Sequence, residues 1–139
     1  MSTNGLDQAN VVRDRRAQYD QKLEEFRAAI QSQEVGCVQH GNTAQIETGR
    51  KFDKVYINTG SQNMSRYMVD RNSWEIFGVK SWAQINPRRW YGTLETVGEY
   101  DWSSYYGKPK SGTASEAEHN KREADIQQNY SPRGRPRKS

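Results

Sequence analysis

Cysteine and histidine are scarce in this 139-residue chain, which contains one Cys and two His. A single thiol, Cys37, cannot form an internal disulfide. Cys37 and His40 form a C-x-x-H pair, but a structural zinc ion takes about four ligands and the sequence adds only His119. The same scarcity leaves no nucleophile–base–acid set, and no glycine-rich phosphate loop occurs. We therefore expect no metal, no cofactor and no enzymatic activity.

Long apolar runs are also absent. No run approaches the ~18 residues of a membrane-spanning helix, and the first residues lack the apolar core of a signal peptide. These absences predict no membrane partner and an intracellular location, cytoplasmic or nucleoid-associated, in a host cell if the chain is viral. Hydrophobic residues make up 32% of the chain. A usual globular chain has about 45–50%, so we expect one small folded domain with flanking segments.

An N-terminal segment of residues 1–36 contains a predicted amphipathic helix over residues 6–33. Its seam has the alternating spacing of three and four residues that is typical of helices, at Val12, Arg16, Tyr19, Leu23, Phe26 and Ile30. Two interpretations stay open. The helix packs on its own domain, or residues 6–33 form a short coiled coil that makes the protein a homodimer.

The polar residues 37–49 predict a linker, and residues 50–102 predict a small β domain. We expect an antiparallel sheet of three or four strands, with the N-terminal helix covering one face. Alternation around Tyr67 and Val69, then a turn and a second alternating run to Val79, predicts a β-hairpin. Gly78 and Gly92 within strand patterns indicate bulges or close backbone approach. The predicted fold class is therefore α+β.

The remaining residues, 103–139, contain few large apolar side chains and predict a flexible, disordered tail. Four of its last nine residues are Arg or Lys and none is acidic. Such a basic end favours a polyanionic partner, most often nucleic acid.

The end of this tail carries a compact basic motif, Pro132-Arg133-Gly134-Arg135-Pro136. The motif resembles the AT-hook at all five core positions, and Arg137 and Lys138 match the basic extension of that family. The resemblance covers this segment alone, and it implies binding of an extended segment in the minor groove of A·T-rich duplex DNA. The residue types suit that groove, because arginine follows its negative potential and glycine lets the backbone reach its floor.

A second basic cluster lies within the predicted β domain, in the stretch KSWAQINPRRWYGT. Cations interleaved with aromatic rings suit a single-strand platform, because bases stack on rings while cations hold phosphates. The other interpretation places the rings in the core, and we expect at least two of Trp82, Trp90 and Tyr91 there. The candidate nucleic-acid site from this stretch comprises Lys80, Arg88, Arg89 and Trp90. The surrounding sequence loosely resembles short phage and viral proteins, a likeness that transfers no function.

These features predict a non-enzymatic DNA-binding accessory or nucleoid-associated protein that contacts A·T-rich duplex through its C-terminal hook. The β domain would supply a second contact or bind a protein partner of unknown identity. Two alternatives stay open. One is a virion structural or adaptor protein with a nonspecific nucleic-acid-binding tail, and the other is a single-stranded nucleic-acid binder that uses Trp and Arg of the sheet.

Overall fold

The sheet is an antiparallel meander of five strands, each paired with the next along the chain. The computed structural model describes the backbone of residues 4–129 and the side chains of residues 15–125. The strands are β1 (Thr43–Glu47), β2 (Phe52–Asn58), β3 (Asn63–Asp70), β4 (Glu75–Ser81) and β5 (Gln84–Thr93). The predicted α+β class is confirmed, but the sheet has five strands rather than three or four.

Helices flank the sheet on both sides in sequence. Two helices precede it, α1 (Asn4–Gln33) and α2 (Val35–His40). A 3₁₀ helix (Leu94–Glu99), a two-stranded ribbon of β6 (Tyr100–Asp101) and β7 (Lys108–Pro109), and helix α3 (Ala114–Asn129) follow it. None of the described helices is long and apolar enough to cross a bilayer.

Helix α1 packs its apolar seam against the sheet of its own chain. Four seam residues are buried in the core: Tyr19, Leu23, Phe26 and Ile30. The Phe26 ring packs edge-on against the Tyr67 and Trp102 rings, with centroid distances of 5.5 and 4.8 Å. This part of the seam is therefore occupied and does not offer itself to a second helix.

The middle strands place apolar residues in the core at every second position, but Arg66 and Met68, which the alternation predicts on the opposite face, are buried as well. Val55 and Ile57 of β2 are fully buried in the core beside Tyr67 and Val69 of β3. The predicted hairpin is confirmed as β3 and β4, which pair antiparallel. In the β2–β3 pairing, Val55 faces Tyr67 whereas Tyr56 faces Ser65, so Arg66 is the extra residue of a β-bulge.

Residues 37–49 are not the linker that their polarity predicts. Most of α2 and all of β1 lie there, and β1 is an edge strand paired with β2. The strand buries only Ala44 and half-buries Ile46, so its apolar signal is weak. Helix α1 anchors this strand at Ala44 through two side chains. Arg27 donates to the Ala44 carbonyl at 3.0 Å, and the Gln31 side-chain Oε1 accepts from the Ala44 amide at 2.8 Å.

The folded part of the chain extends beyond residue 102, where the predicted tail begins. Residues 103–129 include β7 and α3, and α3 packs along β5. The contacts of α3 are polar and aromatic, which explains why a search for apolar residues missed it. Ser115 donates its amide to Glu99, and Tyr100 Oη lies 3.0 Å from His119 Nδ1. The AT-hook-like segment, residues 132–138, lies outside the described residues.

Candidate nucleic-acid interface

The structure separates the four predicted site residues of the β domain. Lys80, Arg88 and Arg89 are exposed, whereas Trp90 is only 4% exposed. Lys80 lies near the tip of the β4–β5 hairpin, and both arginines lie further along β5. The hook residues assigned to DNA contact, Arg133 to Lys138, lie outside the described residues.

An irregularity in the β4–β5 pairing sets the position of the two arginines. Phe77 pairs with Trp90, but the next residue of β4, Gly78, pairs with Asn86. Three residues of β5 are therefore left over as a wide bulge, and they are Pro87, Arg88 and Arg89. A Cβ on Gly78 would lie 2.8 Å from the Cβ of Arg89, so the predicted close backbone approach is confirmed there.

Trp90 is a core residue rather than a stacking platform. Its indole Nε1 donates to Glu75 at 3.1 Å, and its backbone amide donates to Glu123 at 3.3 Å. Its ring stacks on His119 and lies 4.5 Å from the Arg122 guanidinium. We therefore correct its assignment to the nucleic-acid surface, because α3 contacts the ring that a base would need.

The other two aromatics of that stretch divide in the same way. Tyr91 is buried, whereas Trp82 is 39% exposed at the hairpin tip. The Lys54 ammonium lies 3.6 Å from the Trp82 ring centroid, and burial lowers the pKa of that lysine although Glu47 favours its charged form. Two of the three rings are in the core, as predicted.

Two exposed tyrosines lie beside the bulge, between the exposed Arg89 and the buried Arg66. The Arg89 guanidinium lies 4.8 Å from the Tyr106 ring, which packs edge-on against Tyr105 at 5.0 Å. The Arg66 guanidinium lies 4.0 Å from the Tyr105 ring. The tyrosines are 58% and 47% exposed at Tyr105 and Tyr106. We call these four residues the Tyr–Arg row, and exposed rings flanked by cations are suited to stacking bases and holding phosphates.

The row was not predicted, because both tyrosines lie in the segment whose composition indicates a tail. The adjacent aromatic pair within an otherwise polar stretch was the available signal. Pairing of β6 with β7 returns the chain to the domain on either side of the tyrosines, and a buried Gly107 lies under the Trp102 ring. Both tyrosines are thus held at the surface by a folded loop.

No family model matches the chain, and neither a curated protein nor a solved structure matches it.

Helix α3 carries the chain towards the bulge. Ser115 contacts Glu99, His119 contacts Tyr100 and Trp90, and Glu123 contacts the Trp90 amide. These contacts show that α3 runs against the direction of β5, towards Arg89. The six residues that follow Glu123, up to Asn129, add about 9 Å of helix in the same direction.

The environment of Cys37 does not activate its thiol. Burial, with Glu34 nearby, raises the pKa of the Cys37 thiol to about 11, so the nucleophilic thiolate is disfavoured at neutral pH. Within the described residues, no three His, Cys, Asp or Glu side chains converge on a common point.

His119 makes the attachment of α3 sensitive to pH. Burial lowers the pKa of its imidazole, although Glu123 at 4.0 Å favours the charged form. The stabilising contribution of neutral His119 to the free energy of unfolding is therefore fully present above the pKa of an unfolded histidine, about 6.5. This contribution is lost as the pH falls towards the pKa of His119 in the folded protein. We expect the free energy of unfolding, measured with urea, to fall between pH 7.5 and 5.5.

The variant His119→Gln should lose part of this pH dependence, because the group that takes up the proton on unfolding is gone. His40→Gln is the matched control, since His40 is exposed at the end of α2. Equal pH dependence in wild type and His119→Gln would contradict the assignment.

Proposed function

We propose that the protein is a non-enzymatic DNA-binding accessory protein whose C-terminal hook binds the minor groove of A·T-rich duplex. The observation that carries the proposal is the match of residues 132–136 to all five core positions of the AT-hook. Gly134 admits the backbone to the groove floor, and the flanking prolines favour an extended chain before DNA is met. The amino group of guanine would obstruct this approach, which supplies the A·T preference.

The described part of the chain supports a second, weaker contact. Arg88 and Arg89 are exposed on the β5 bulge, and α3 directs the chain towards them. A duplex held by the hook would therefore lie near cations able to contact its phosphates. Phosphate contacts add affinity and fix orientation, but they carry no sequence information.

The Tyr–Arg row favours a second candidate function, single-stranded nucleic-acid binding. Each base that stacks on an exposed ring contributes ~1–3 kcal/mol and requires little sequence specificity. The platform in this version is the loop of Tyr105 and Tyr106 rather than the sheet, whose Trp90 is buried.

A binding series separates the two candidates. We expect full-length protein to prefer A·T-rich duplex over G·C-rich duplex, and a truncation ending at Asn129 to lose that preference. Each phosphate neutralised adds ~0.9 to the slope of log affinity against log salt, so four hook cations predict a slope of about −4. If Arg88 and Arg89 also engage, the slope steepens by about 1.8, and Arg88→Ala with Arg89→Ala restores about −4.

The outcomes are distinct. Equal binding of A·T duplex by full-length protein and the truncation would overturn the hook. A double variant that matches wild type at every salt concentration would remove the domain from the interface. Tighter binding of single strand than duplex, lost in Tyr105→Ala with Tyr106→Ala, would favour the second candidate.

A further inference from the structure

A cleft of about 600 Å³ lies where α1 passes the β1–β2 connection and the β3–β4 turn. Its walls carry four arginines and two aromatic residues: Arg15, Arg16, Arg50, Arg71, Tyr19 and Trp74. We call it the arginine cleft. It opens at the end of the sheet where β4 begins, whereas Lys80 lies near the end of β4. The cleft is therefore separate from the hairpin tip.

Two of the four guanidinium groups are held in place by the backbone around them. Arg71 Nη1 donates to the Gly49 carbonyl at 2.7 Å and to Asp53 Oδ1 at 3.4 Å. Arg15 Nη2 donates to the Asn72 carbonyl at 2.7 Å, and its guanidinium lies 4.9 Å from the Trp74 ring. Each guanidinium has five N–H donors, so most donors of both groups stay free for a ligand.

The other two arginines lack a partner within the described residues. Arg16 and Arg50 are exposed and make no hydrogen bond or ion pair with any described residue. Asp20 lies one helical turn after Arg16 on α1, yet no carboxylate oxygen of the described part lies within 4.0 Å of the Arg16 nitrogens. Within the described residues, the charges of Arg16 and Arg50 are therefore not paired.

The nearby carboxylates are already engaged. Asp53 is buried and accepts from Tyr19 Oη at 2.7 Å and from the Gly49 amide at 3.1 Å, besides Arg71. Burial, with the hydrogen bond to Asp53, raises the pKa of the Tyr19 hydroxyl well above its usual value, so that group stays neutral. Asp70 Oδ1 accepts the amides of Asn72 and Ser73. The described residues that line the cleft include four arginines and no carboxylate, so its wall is strongly positive.

Trp74, on the wall of the cleft, has two unusual features. Among the described residues it alone has a positive φ without being glycine, at 68°. Its indole Nε1 is buried and has no acceptor in the described part. A non-glycine residue in this region is strained, and such strain is concentrated at binding sites. An unsatisfied donor and a strained backbone therefore occur at the wall that Arg15 covers.

We propose that the arginine cleft binds a phosphate-bearing anion with at least two negative charges. Planar guanidinium groups donate to phosphate oxygens in pairs. Four guanidinium groups carry more positive charge than one carboxylate would neutralise. The volume of the cleft admits a group as large as a polyphosphate. Two sources share this chemistry, a free polyphosphate or nucleotide and the phosphate backbone of a nucleic acid. The inference stands apart from the proposed hook, because it uses none of the residues assigned to that contact.

Titration of full-length protein with sodium tripolyphosphate, followed by calorimetry, tests the site. We expect Arg16→Gln with Arg50→Gln to weaken binding about tenfold or more, because two charge-assisted contacts are lost. Both side chains are exposed and unpartnered in the described part, so the fold should persist, as circular dichroism will check. The matched control is Lys108→Gln with Lys110→Gln, which removes equal charge at two exposed positions outside the cleft and should leave tripolyphosphate affinity unchanged.

A third variant, Arg16→Lys with Arg50→Lys, separates specific recognition from charge. It keeps the charge but not the forked donors, so we expect it to bind more weakly than wild type. Competition identifies the source: displacement of tripolyphosphate by a single-stranded oligonucleotide favours a backbone phosphate, whereas displacement by ATP alone favours a free polyphosphate. Absence of tripolyphosphate binding, or equal losses in the Arg16/Arg50 and Lys108/Lys110 variants, would overturn the proposal.

Discussion

Replacing Trp102 with alanine is expected to unfold the protein. The Trp102 side chain is fully buried, and its ring contacts Phe26, Tyr67 and Tyr100 with centroid distances of 4.8 to 5.3 Å. Its indole Nε1 donates to the Val97 carbonyl at 3.0 Å. Truncation of a buried tryptophan costs ~3–5 kcal/mol, which approaches the whole free energy of unfolding of a small domain at the lower end of the usual ~5–15 kcal/mol.

Urea unfolding followed by circular dichroism measures this effect. Trp82→Ala is the matched control, because the same change at a 39% exposed ring removes little packing. We expect the control to unfold within about 1 kcal/mol of wild type, as surface substitutions usually do. Similar losses for both variants would contradict the placement of Trp102 at the centre of the core.

The position of Trp102 also shows what the sequence could not reveal. The predicted domain ended at residue 102, yet its last residue is a centre of the core, and the chain after it completes the fold. A Cβ on Gly107 would lie 2.5 Å from the Trp102 ring, so the loop beyond the predicted boundary packs directly on it. Such packing depends on distant partners, and a local search for apolar residues cannot detect it.

Periodic patterns were the reliable part of the sequence. The seam of α1 predicted the buried faces of Tyr19, Leu23, Phe26 and Ile30, because each helical turn returns a residue to the same side. The alternation around Tyr67 and Val69 likewise predicted a hairpin. In contrast, α2, β1 and α3 are held mainly by hydrogen bonds and ion pairs, which leave no period in the sequence.

Only part of the candidate site could be predicted from the sequence. Exposed basic residues such as Arg88 and Arg89 could be found from composition, whereas the arginine cleft could not. Its arginines come from α1, the β1–β2 connection and the β3–β4 turn, so only the tertiary fold brings them together. The interruption of the α1 seam by Arg16 was the one local signal.

The ion pair of Glu34 and Arg66 shows how polar contacts fasten these weakly apolar elements. Glu34 Oε2 accepts from Arg66 Nη2 at 3.0 Å, and its Oε1 accepts the Cys37 amide at 2.9 Å as the N-cap of α2. Both side chains are about 95% buried. Arg66 Nε and Nη1 have no other acceptor within the described part, and the guanidinium lies against the Tyr105 ring. One pair thus links α2, the β3 bulge and the Tyr–Arg row.

Breaking this pair from one side should be costly. Glu34→Gln keeps an oxygen for the Cys37 amide but leaves the Arg66 charge buried and unpaired, and loss of one partner of a buried pair costs ~3–5 kcal/mol. Arg66→Met leaves the Glu34 carboxylate buried and unpaired, so we expect a similar loss of unfolding free energy. The double variant should lose less unfolding free energy than the two single variants lose together, because neither charge remains.

A double-mutant cycle by urea unfolding measures the coupling, which we expect to be at least ~1 kcal/mol. Glu24→Gln is the matched control: Glu24 pairs with Arg27 at 2.6 Å, but its side chain is 58% exposed. Water screens such a surface pair, so its loss should cost under about 1 kcal/mol. Additive losses for the buried pair would show that Glu34 acts only as the cap of α2. Non-additive losses would show that the buried ion pair itself holds α2 against the β3 bulge.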